Sequence, residues 1–121
     1  MEQLEIETGT WKRLLDFFTE ENIHSKNRLS AILKDRFERN LLEELENFQG
    51  QFIKQDEVIS LLRSDITELR KLLLKKINSD GITPELIERK VENIRHNLSD
   101  SERRFCELQF GFSRYLSQNI S

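Results

Sequence analysis

Glycine and proline are scarce in this chain of 121 residues, which holds four of the first and one of the second. Turns are built largely from those two residues, so the shortage argues against an all-β sandwich or barrel. No glycine-rich loop is available to follow a strand, which argues equally against a doubly wound α/β enzyme. Cysteine occurs once, at Cys106, so no intrachain disulfide framework can form, as suits a reducing compartment. The longest unbroken apolar runs are triplets such as Leu72-Leu73-Leu74, far short of a membrane span. The acidic opening MEQLEIETGT has neither a basic n-region nor an apolar h-region and does not read as a secretory signal. Together these absences lead to the expectation of a cytoplasmic protein. A basic excess is missing too: 19 Lys and Arg stand against 22 Asp and Glu, a net charge of −3. Phosphate contacts supply most of the affinity of nucleic-acid-binding domains, so no nucleic-acid partner is expected.

What the chain does have is regularly spaced Leu and Ile and eight Phe, enough to disfavour disorder. Trp11, Leu14, Leu15, Phe18, Leu29, Ile32 and Leu33 recur at three- and four-residue steps and predict a first helix over about 10–36. Thr8 or Thr10 would cap it, Phe37 would cover its end, and residues 1–9 would form an acidic tail. A second helix is expected over about 41–78, opened by a capping box between Asn40 and Glu43. Leu45, Phe52, Ile59, Ile66 and Leu73 occupy its a positions, and Phe48, Gln55, Leu62, Leu69 and Lys76 its d positions. Gly81 suits the left-handed C′ position after it. Thr83-Pro84-Glu85 then restarts a helix over about 84–118, with Thr83 as N-cap, Pro84 at N1 and Ile82 stapled to Ile87. The third heptad runs through Ile87, Val91, Ile94, Leu98, Ser101, Phe105, Leu108, Phe112 and Tyr115.

Short connections force neighbouring helices to be antiparallel, so the fold class expected is all-α, an antiparallel three-helix bundle with coiled-coil packing. Alignment about the turns brings apolar residues together at almost every level. It also gathers Asn22, Ser25, Gln55 and Ser101 into one internal polar layer, which would set register or line a small ligand cavity. Gly50 and Gly111 come out near each other and could allow a close helix approach. Because the second helix is longer than the first, it and the third should project as an overhanging hairpin. Its leucines then lack a cover, and Leu69, Leu72, Leu73, Leu74, Ile77, Leu86, Ile87 and Val91 become candidates for a homodimer interface.

Catalytic chemistry finds little support. Glu21 and His24 form a Glu-x-x-His element, but Glu92 and His96 have the wrong spacing to partner it in a di-iron site. Arg103 and Arg104 precede Cys106, yet no His stands at a convincing spacing to activate its thiol. The run Arg70-Lys71-Leu72-Leu73-Leu74-Lys75-Lys76 could meet an anionic surface, but cations in the last turns also suit the helix dipole. No metal, cofactor or catalytic residue is assigned. The expectation is a non-enzymatic interaction or assembly protein, an adaptor or scaffold, whose partners are itself and possibly another helical protein. The alternative is a small regulatory protein that binds a ligand in an inter-helix polar cavity, or an anionic partner at the basic helix end.

Overall fold

The computed structural model describes residues 2–35, 38–78 and 83–120, with Glu2 and residues 76–78 described by backbone alone. Three helices account for them: α1 (Glu2–Asp35), α2 (Arg39–Asn78) and α3 (Pro84–Asn119). No strand occurs among the described residues, so the chain is all-α. The expected roles of Phe37, Gly81 and Ile82, and the side chains of Lys76 and Ile77, lie outside what is described.

The start of α3 follows its sequence directly. Thr83 sits in extended backbone and its hydroxyl accepts from the Leu86 amide at 3.2 Å, while Pro84 opens the first turn where its missing N–H costs nothing. The other two starts differ from expectation. At α2, Asn40 lies inside the helix and does not cap it; the Glu38 carbonyl accepts from the Leu42 amide, and Glu43 pairs with Arg39 at 3.6 Å.

The larger correction concerns residues 1–9, expected as a tail: from Glu2 onward they are helix. Thr8 and Thr10 cap nothing, because their hydroxyls bond back to the carbonyls of Glu5 and Ile6 within α1. The helical stripe runs on from Trp11 to Thr8 and Leu4, with Thr8 buried at a core level. Glu7 then ties this end of α1 to α3, accepting two hydrogen bonds from Arg95 at 2.7 and 2.8 Å.

Extending α1 removes the overhang. At ~1.5 Å per residue, 34 residues make α1 about 50 Å long against about 60 Å for α2. Leu69, Leu73, Ile87 and Val91 are buried in the same cluster as Trp11, Leu15 and Phe18, with Leu4 and Leu14 packed against it. Four of the eight residues expected to await a second copy are therefore covered by their own chain. Leu72 is half-buried, and among the candidates whose side chains are described only Leu74 and Leu86 are exposed, at 66% and 37%.

α2 packs against both other helices, and α1 touches α3 less. Contacts climb α1 while descending α2: Asp16 meets Arg63 at 2.8 Å, and Asn22 meets Asp56 at 3.1 Å. From α2 to α3 they again run in opposite directions, Glu68 to Lys90 and Phe48 to Phe112. Between α1 and α3 they run in the same direction, from Glu7–Arg95 to Phe18–Phe105, whose rings stack at 4.3 Å. The core divides in two. One cluster joins Phe18, Ile59 and Phe105, and the other joins Leu29, Leu45, Phe52, Leu108, Phe112 and Leu116. No described helix is long and apolar enough to cross a membrane.

Candidate functional site

Between the two core clusters lies a polar layer on the side of α1. Asn22 is fully buried and held from both sides. Its amide nitrogen donates to Asp56 Oδ1 on α2 at 3.1 Å, and its oxygen accepts from Gln109 Nε2 on α3 at 3.1 Å. Gln109 in turn accepts from Ser25 at 2.7 Å, and Lys26 forms an ion pair with Asp56. One amide thus bridges all three helices, and the bonds form only when their levels match. Such a layer penalises slipped alignments that a wholly apolar core would tolerate.

The sequence expectation of a single layer of Asn22, Ser25, Gln55 and Ser101 is half corrected. Asn22 and Ser25 do share a network; Gln55 and Ser101 are not bonded to it. Successive helix positions turn by about 100°, so at this level Asp56 faces α1 while Gln55 faces the opposite side of the α2/α3 pair. Gln109, one position after the core residue Leu108, likewise turns toward α1. Asp56 and Gln109 were missed because a charged residue and an amide one place off the apolar stripe read as solvent-facing.

Gln55 and Ser101 instead line an open groove of about 760 Å³ along the face of α2 and α3 away from α1. Its apolar lining includes Phe48, Val58, Leu61, Leu62 and Leu108. Leu61 is 66% exposed, whereas Leu62 beside it is in the core. Gln55 Oε1 is buried at the groove and has no hydrogen-bond partner among the described residues. An orphaned buried acceptor is uncommon and costs about 1–3 kcal/mol, so its position against a groove is informative.

Three basic and three acidic side chains rim the groove: Lys54, Arg103 and Arg104 against Asp65, Asp100 and Glu107. Asp100 accepts from Arg103 at 2.6 Å and pairs with Arg104 at 3.1 Å. The hydrogen bond from Arg103, then the charge of Arg104, holds its carboxyl below the usual carboxylate range despite some loss of solvation. Past Phe48, Tyr115 is half-buried, and burial followed by the nearby Glu44 carboxylate pushes its phenol up.

Other singled-out residues lie apart from both features. His24, His96 and Cys106 are exposed, as are Arg70, Lys71 and Lys75. Among the described residues no three His, Cys, Asp or Glu side chains gather as a metal site would require. Gly50 and Gly111 do not form the expected close approach: a Cβ on Gly50 would meet open space, and one on Gly111 would lie 4.0 Å from Phe48. No protein-family model, no curated protein and no solved structure matches this chain.

Proposed function

We propose that the protein is a non-enzymatic cytoplasmic interaction or assembly protein, a regular antiparallel bundle with coiled-coil packing that works as an adaptor or scaffold. Its working surface is the α2/α3 groove, where a further helix, from another copy or from a helical partner, packs between the two. The carrying observation is Leu61, an exposed leucine set among apolar neighbours in a groove that also holds the orphaned Gln55 oxygen. Single exposed leucines are ordinary; one seated in a long inter-helix groove beside an unpaired acceptor has the character of an interface.

The test is affinity capture with the full chain and its Leu61→Glu variant, after circular dichroism has established equal melting. Partners recovered by the native protein and lost by the variant are expected. Recovery independent of residue 61 would refute this surface. The orphaned Gln55 oxygen also favours a second reading, a small amphipathic ligand with a hydrogen-bond donor in the same groove. A melting increase with such a compound, abolished by Gln55→Leu, would mark it.

A further inference from the structure

Eight α2 residues line the groove, and four of them, Lys54, Val58, Leu61 and Asp65, form one stripe. Their spacing of four, three and four keeps them on a single helix face. The stripe is also self-complementary. Turned end for end about the midpoint between Ile59 and Ser60, Lys54 falls opposite Asp65 and Val58 opposite Leu61. Neither charge is used within the chain: among the described residues Lys54 and Asp65 form no ion pair. They stand eleven positions apart, about 16 Å along the helix, so they cannot pair with each other on one molecule. Taking the previous section's reading of the groove as a helix-packing surface, we infer that its occupant is a second copy of this chain. The α2 helices pack antiparallel across a twofold axis at that midpoint.

The charge balance fits a copy better than a foreign helix of one sign. The whole chain carries −3, a repulsion that two copies must overcome. The groove carries three charges of each sign, so this face adds no like-charge penalty. A twofold axis repeats each contact: two Lys54–Asp65 pairs flank two Val58–Leu61 contacts, the apolar centre and charged rim of a specific interface. An isologous pairing of this kind closes on itself and makes a dimer, not a filament.

Sedimentation equilibrium of the full chain from low to high micromolar concentration tests the inference. The native protein is expected to approach twice the 14.5 kDa chain mass. Leu61→Glu, at an exposed position, is expected to hold the protein monomeric while keeping the native helix content by circular dichroism. Lys54→Glu and Asp65→Lys, each placing like charges opposite one another twice, are expected to weaken association by about tenfold. The double variant K54E/D65K restores each pair with its signs exchanged and recovers most of the loss, as only the antiparallel register allows. A native chain that stays monomeric overturns the inference; if residue 61 still governs capture of another protein, the broader reading of the groove survives. A dimer indifferent to Leu61→Glu overturns this location for self-association. Sensitivity at Leu61 without rescue by the double charge exchange overturns the antiparallel register.

Discussion

Replacing Asn22 by Ala and by Leu separates what the polar layer contributes from what it merely occupies. The native side chain is fully buried, gives one hydrogen bond to the Asp56 carboxylate and accepts one from Gln109. A neutral bond contributes about 1 kcal/mol net, and a bond to a charged group contributes more. Asp56 is a third exposed, so water discounts that second contribution to about 1 kcal/mol as well. Asn22→Ala also opens a void between the two apolar clusters, which adds the cost of an incompletely filled cavity. The expected loss is about 2–3 kcal/mol, a large share of the roughly 10 kcal/mol total typical of a domain this size. In urea that lowers the midpoint by about 1–2 M at unchanged slope. Asn22→Leu fills the same space with apolar atoms. Asp56 keeps Lys26, and Gln109 keeps Ser25 and partial access to solvent. Its expected cost is below about 1 kcal/mol, because burial of the leucine side chain without a void offsets most of the two lost bonds. Trp11 fluorescence and far-ultraviolet circular dichroism should give coincident transitions in all three proteins. An Asn22→Ala cost below about 1 kcal/mol would refute the view that hydrogen bonding across this layer stabilises the fold, and a larger cost for Leu than for Ala would refute the offset by apolar filling.

Gly50→Ala is expected to stabilise the protein by about 1 kcal/mol and raise melting by about 3–5 °C, since Gly50 is exposed within α2 and its new methyl meets nothing; a lower melting temperature would mean that the glycine serves packing unseen here. The Glu7–Arg95 pair makes stability depend on acid, because the hydrogen bond from Arg95 holds the folded-state Glu7 carboxyl below its ordinary value of 4.5. Its contribution is complete above that value and vanishes as pH falls through the lowered one, so Glu7→Gln should destabilise modestly at pH 7 and converge with the native protein in acid urea titrations. A gap that is constant with pH would contradict that linkage.

The two kinds of expectation failed and succeeded for physical reasons that differ from residue to residue. Helices α2 and α3 were legible because Leu45 through Leu73 and Ile87 through Phe112 keep an uninterrupted three-four spacing, and a repeat of that kind has only one local solution. Thr83-Pro84 was legible because capping is a contact among neighbours in sequence. The first turns of α1 were not legible: Thr8 interrupts the apolar stripe, and nothing local says that a threonine will be buried against other helices. That single omission created the overhang and, with it, a set of interface residues that the chain covers itself.

Composition and periodicity by themselves determined an all-α chain, its three long helices and the core stripe of each, since backbone hydrogen bonding and the 3.6-residue turn act locally. Tertiary structure alone decided the rest. Each helix carries polar residues one step off its apolar stripe, and their fate depends on which neighbour stands at that angle and level. Asp56 and Gln109 were turned inward onto Asn22, whereas Gln55 and Leu61 were left facing a groove. Those angles are set by how α1 lies across the α2/α3 pair, a property of the packed molecule and of no single segment of it.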